Sequence, residues 1–194
     1  MSIKQVQFSI EGVAPLSFSK KIQSEKGEGE SHDAFEQRTW KERLHVGSDG
    51  YVFIPPMMMK KCVEACAKFM SETVQGKGKA TWTKHFKAGI LCTEPLSLGV
   101  RPEEINGEWL FVPSNGQAGG GTRVNKCFPY IEPPWTAKGQ FILLDVALQE
   151  KRGLEKLEQY LRQAGQFIGL GRFAPRNGGF YGRYKVTSFD VMEG

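Results

Sequence analysis

The sequence predicts an α+β fold with a ferredoxin-like β-α-β-β-α-β core, carrying an inserted hairpin and long loops. Three observations carry this expectation. Apolar residues alternate at period two at the N-terminus, which marks a half-buried strand. Segments 57–74 and 153–166 instead repeat apolar residues at helical spacing. Stripped of loops, the elements follow in the order strand, helix, strands, helix, strand.

The first strand is IKQVQFSI, residues 3–10, with Ile3, Val6, Phe8 and Ile10 as apolar members and one slip near Lys4 and Gln5. Residues 12–50 lose this pattern. They are rich in Gly, Ser, Glu and Lys and read as a long polar excursion, partly disordered, with a short helical turn around 33–41. Residues 51–54 form a short strand between the turn SDG and Pro55–Pro56. Proline then opens the first helix, where its missing N–H costs nothing. Met58, Cys62, Ala65, Cys66, Phe69 and Met70 make its expected core-facing stripe. Residues 76–87, GKGKATWTKHFK, read as a loop. Residues 89–93 and 95–99 read as one interrupted strand, 109–112 as another, and 115–123, NGQAGGGTR, as a glycine-rich loop. Strands are expected over 125–131 and 140–148. The second helix turns Leu154, Leu157, Tyr160, Leu161 and Ala164 inward. The glycine-rich stretch 169–185 leads into a final strand.

A chain of 194 residues, 40% hydrophobic and 24% charged, fits one domain with a real core, and residues 1–194 read as one nucleic-acid-binding unit. No apolar run approaches the roughly 18 residues of a membrane span. The N-terminus lacks a signal-peptide block, so a cytoplasmic protein is expected. Cys62 and Cys66 sit four apart on a helix without the tight spacing of zinc ligands. They read as small buried hydrophobes, and neither metal nor cofactor is expected. The Gly169–Gly171 pair has a helix before it and a strand after it, the reverse of a dinucleotide fingerprint, and no Walker A loop occurs.

The net charge of +5 matters for where it falls. Segment 76–87 holds Lys77, Lys79, Lys84 and Lys87 around Trp82, His85 and Phe86, with no acid. Segment 169–185 holds Arg172, Arg176, Arg183 and Lys185 among Phe173, Phe180, Tyr181 and Tyr184, again with no acid. Cations neutralise phosphates and aromatic faces stack on any base, so this interleaving is what a single-strand site requires. Arg123, closing the 115–123 loop, is a further candidate clamp. The bland readings are a solvated basic hairpin with Trp82 and Phe86 in the core, and a structural glycine turn.

IPPMMMKKCVEACAKF, a strand end entering a helix through proline with Lys60 and Lys61 paired, resembles the corresponding segment of RAMP-superfamily proteins. GLGRFAPRNGGFYGRY resembles that family's C-terminal glycine-rich loop, between last helix and last strand. The order resembles a single RRM-like domain, as in backbone subunits of CRISPR effector complexes. The chain also resembles small tailed-phage early-region proteins. Pro56 stands where the family commonly has glycine, and the excursion after the first strand departs from its pattern.

The resemblance implies binding of single-stranded RNA or DNA and allows self-association along the strand. The expected contacts are Lys60, Lys61, Lys77, Lys79, Trp82, Lys84, His85, Arg123, Arg172, Phe173, Arg176, Tyr181 and Arg183. Both acid-free loops are expected on one electropositive surface, with Trp82 stacked on a base. The alternatives are a RAMP-type endoribonuclease using His85 and a viral inhibitor acting through protein contacts. Acid–base catalysis needs two positioned groups, and around His85 the sequence offers only lysines. No enzymatic activity is therefore expected.

Overall fold

The computed structural model describes residues 3–114 and 122–192. The N-terminal alternation forms β1 (Gln5–Gly12), the central member of a four-stranded antiparallel sheet. On one side β1 pairs with β8 (Thr136–Leu143), and β8 pairs with the two-residue β4 (Ile90–Leu91). On the other side it pairs with β9 (Tyr184–Met192), with a register shift at Ser9/Ile10. The order β4-β8-β1-β9 is that of a ferredoxin-like sheet, in which the first and third core strands are central neighbours.

Period two sorts the two faces. Val6, Phe8 and Ile10 of β1, with Ala137, Phe141 and Leu143 of β8, are buried beneath the helices, where Phe8 stacks on Phe141 at 4.6 Å. Gln7, Ser9, Lys138, Gln140, Ser188 and Asp190 line the open face. That face is polar and carries none of the stacking aromatics found on an RRM sheet.

The two core helices are α2 (Pro56–Met70) and α5 (Lys151–Phe167), the latter preceded by the short α4 (Val146–Gln149), which takes the end of the strand expected over 140–148. The amphipathic pattern places Leu157, Tyr160, Leu161 and Ala164 of α5 in the core. On α2 the buried stripe is Met59, Cys62, Val63, Cys66 and Ala67, one residue round from the expected stripe. Phe69 is exposed and packs beside the exposed Phe167 ring, at 6.0 Å. MMM and ACA are apolar on every side, so spacing alone did not fix the rotation. All four cysteines are buried and free, and burial raises each thiol, Cys62 and Cys66 to about 12. No group of three metal-ligating side chains converges among the described residues. None of the helices described is long and apolar enough to cross a membrane.

The expected interrupted strand is two separate strands: β4 joins the main sheet, while β5 (Leu96–Ser97) pairs with β3 (Phe53–Ile54). The inserted hairpin is β6 (Asn106–Pro113) against β7 (Arg123–Ile131), extended by β2 (Leu16–Ser17). The excursion at 12–50 is more ordered than expected. Ala14, Leu16, Phe18 and Leu44 are buried, and α1 (His32–Thr39) starts at a Ser31 cap and runs into a 3-10 turn, Trp40–Arg43. Glu36 and Arg43 form a buried ion pair at 2.7 Å. The Cys127 N–H donates to Glu36 Oε1 at 2.8 Å, and Arg43 Nε donates to the Cys127 carbonyl at 3.0 Å. The pair thus gives β7 the donor and acceptor that a neighbouring strand would supply.

Candidate nucleic-acid interface

Between α5 and β9 the glycine-rich stretch folds back on itself. Gly169, Gly171, Gly178 and Gly182 all adopt positive φ. At Gly182 a side chain would collide with the Leu170 carbonyl, which accepts no such neighbour, so the tight return requires glycine. The Arg172 N–H donates to the Ser17 carbonyl at 2.9 Å, tying the loop to β2. Phe173 is a bulky residue held at φ 54.

Arg172 is an internal clamp. Its Cζ lies 3.4 Å from the Phe128 ring centre and 3.7 Å from that of Phe173, with Glu108 at 3.9 Å. Burial pulls its guanidinium below the ordinary range, and Glu108 opposes the shift. Tyr181 donates to Glu108 at 3.4 Å and packs edge-on against Phe173 and Phe180. Burial, then Glu108, raises its hydroxyl. Arg172 and Tyr181 therefore brace the loop, which corrects the expected place of Arg172 on an open electropositive surface and of Tyr181 as a strand contact. Phe173, Phe180, Arg176 and Arg183 face solvent, as do Asn177, Gly178 and Lys185.

The hairpin supplies a second exposed surface. Trp109 and Phe111, two apart on β6, share a face about 7 Å from each other and are 49% and 59% exposed. Arg123 lies over Phe111 at 5.8 Å. Trp40 packs over Gly107, which begins the same face, and Lys41 lies over Trp40 at 5.2 Å. Alternation puts Gly107, Trp109, Phe111 and Pro113 with Arg123, Asn125, Cys127 and Pro129 on this face, which therefore holds no carboxylate on either strand. Glu108 faces the other way, toward the glycine-rich loop. Trp109, Phe111, Trp40 and Lys41 went unread in the sequence. The apolar run WLFV hid which face was exposed. The readable signal was two aromatics at i and i+2, with Arg123 following across the turn.

Segment 76–87 differs most from expectation. It is not all loop, because α3 (Thr83–Ala88) occupies its second half. Trp82 is 2% exposed, and His85 and Phe86 are buried with it. Their spacing of i, i+3, i+4 is a helical stripe, so all three rings belong to the core and none is placed to stack on a base. His85 Nδ1 lies 2.6 Å from Asp145 Oδ2, a partner 60 residues away that no local reading finds. Burial would raise the Asp145 carboxyl, but bonds from His85 and the Ala147 N–H, with His85 and Lys77 nearby, hold it below its ordinary value.

The lysines do not share a surface with the arginines. Lys77 and Lys79 lie at the start of α5, where Arg152 bonds Gln75. The glycine-rich loop leaves its far end, and the 17-residue α5 is roughly 25 Å long. Lys84 lies on α3, whose Thr83 bonds the Ala67 carbonyl in the last turn of α2. The expected single electropositive surface thus divides in two. Lys60 donates to the Lys87 carbonyl at 2.7 Å, and both Lys60 and Lys61 pair with Glu64. Residues 115–121 of the second glycine-rich loop lie outside those described, but Arg123 does not.

No family model matches the sequence, and no curated protein matches it. Among solved structures, the cryo-EM structure of the Type III-B Cmr-beta bound to cognate target RNA contains a chain that superposes with a TM-score of 0.52. The two chains share a fold. They are 10% identical, and the match covers 99% of this chain and 61% of the Cmr-beta chain.

Proposed function

We propose that the chain binds single-stranded RNA, through the aromatic face of the β6–β7 hairpin, whose strands carry no carboxylate there and beside which Asp33 accepts from Asn125, together with the exposed cations of the glycine-rich loop. The observation that carries this reading is the hairpin face itself. Two large rings stand half-exposed on an edge strand, with Arg123 over one of them and Trp40–Lys41 beside the other. An exposed ring beside a cation offers a stacking surface and a phosphate contact at once. RNA is favoured over DNA by the shared fold with a chain of an RNA-bound assembly. By the same likeness the chain acts as a subunit of a larger RNA-bound assembly of the CRISPR type.

The reading is of a binder and not a nuclease. Asp145 Oδ2 is engaged by His85 and Oδ1 accepts from the Ala147 N–H, so His85 Nε2 is the one buried proton-transfer group left at that site. Cleavage by general acid–base chemistry needs two. The test compares single-stranded RNA, single-stranded DNA and duplex RNA at two salt concentrations. Tightest binding to single-stranded RNA, weakening steeply with salt, is expected. Equal binding to duplex, or indifference to salt, would overturn the reading.

A further inference from the structure

At the end of the domain away from the glycine-rich loop lies a cavity of about 520 Å³. Its lining includes Lys77, Trp82, His85, Asp145, Glu150 and Arg152. The floor is built from buried side chains. His85 and Trp82 both belong to the core, their rings 5.5 Å apart. Asp145, held ionised, accepts from the His85 Nδ1–H, which fixes the ring and leaves Nε2 as its free nitrogen.

Two nitrogens of this floor have no hydrogen-bond partner among the described residues: His85 Nε2 and Trp82 Nε1. Buried polar atoms are nearly always paired, so two orphans side by side under one cavity call for an explanation. An indole N–H is a donor only, and its missing partner must be an acceptor. At the rim, Lys77 and Arg152 are exposed cations. Glu150 is the one rim carboxylate not already paired, because Asp145 is matched by His85.

We propose that this cavity binds a phosphate monoester, one oxygen accepting from the Trp82 indole N–H, the P–OH of the monoanion donating to His85 Nε2, and its charge met by Lys77 and Arg152. Phosphate oxygens are acceptors that suit an indole donor. The volume exceeds what inorganic phosphate needs and falls within the range of sites for small organic ligands, so it has room for the organic part of a mononucleotide. No bond is made or broken. The proposal does not rest on the hairpin reading, since α5 separates the two sites along its length.

The test is ¹H–¹⁵N NMR on the full chain, titrated with inorganic phosphate, a nucleoside 5′-monophosphate and the unphosphorylated nucleoside. The Trp82 indole resonance, assigned with Trp82→Phe, should move with both phosphates, more tightly with the monophosphate, and stay still with the nucleoside. Lys77→Ala/Arg152→Ala alters two exposed side chains, so the fold is kept. It should weaken monophosphate binding about tenfold or more, the size of one lost charge-assisted contact. Displacement of the monophosphate by a 5′-phosphorylated oligonucleotide, but not by its 5′-hydroxyl form, supports a strand end as the source of the group. Displacement by neither supports the free ester. No movement of the Trp82 resonance at millimolar phosphate or monophosphate, or equal affinity in the double variant, would overturn the site. Trp109→Ala/Phe111→Ala should keep monophosphate binding, so failure of the hairpin reading is distinguishable from failure of this one.

Discussion

Replacing Trp82 by alanine separates a core residue from a stacking residue. Trp82 is almost fully buried in the main core and packs beside His85. Truncating a buried tryptophan costs about 3–5 kcal/mol through lost transfer energy and the cavity left behind. Part is returned, because the buried indole N–H has no acceptor and its removal relieves a penalty of about 1–3 kcal/mol. At the midpoints of the two ranges a net loss of about 2 kcal/mol is expected. For a chain of this size, at roughly 2–4 °C per kcal/mol, Tm should fall by about 4–8 °C. Thermal unfolding followed by circular dichroism measures the fall. RNA affinity, read at a temperature where both proteins are folded, should change less than about twofold, within the scatter of a site not in contact. An unchanged Tm with affinity reduced tenfold would refute the core placement and put Trp82 on a base.

Glu36→Ala should destabilise the protein by about 3–5 kcal/mol, because it leaves Arg43 buried without its carboxylate and the Cys127 N–H without its acceptor. Chemical denaturation checks this, and Glu36→Leu/Arg43→Met should recover the part due to the unpaired Arg43 charge but not the part due to the Cys127 N–H. The Asp145 carboxyl lies below its ordinary value in the folded state, so its stabilisation is complete above the unfolded value of about 3.9 and is lost as pH falls through the lower folded value. Tm measured against pH should therefore decline less steeply below about pH 4 in Asp145→Asn than in the parent protein. Arg176→Ala and Arg183→Ala remove exposed cations from the glycine-rich loop. Each should lower the slope of log affinity against log salt for single-stranded RNA by about 0.7 while leaving Tm nearly unchanged.

The sheet order and second helix were legible because their signals are long and unambiguous. Eight alternating residues fix the two faces of β1, and four full turns of α5 repeat one apolar stripe. The first helix was legible as a helix but not in its rotation, since Met57, Met58 and Met59 offer three equivalent faces. In segment 76–87 composition concealed geometry. Four lysines and two glycines suggested solvent, yet Lys84 and Lys87 flank a buried i, i+3, i+4 stripe on the outside of a short helix. The excursion concealed order for the converse reason. Its few apolar residues and one buried ion pair are spread among polar ones, and only the tertiary fold brings Glu36 and Arg43 to Cys127. The candidate interface was half legible. Arg123, Phe173, Arg176 and Arg183 were read, whereas the exposure of Trp109 and Phe111 depends on β6 being an edge strand, a property of sheet order that sequence does not carry.

The central claim rests on the hairpin face, and Trp109→Ala/Phe111→Ala tests it most directly. Both side chains are half exposed, so the double variant should unfold within a few degrees of the parent. Fluorescence anisotropy with a labelled single-stranded RNA, at fixed moderate salt, then isolates the stacking contribution. Each lost stack should cost about 1–3 kcal/mol, so affinity should fall by roughly 30-fold or more for the pair while the salt slope stays the same. A folded double variant that binds single-stranded RNA as tightly as the parent would contradict the account.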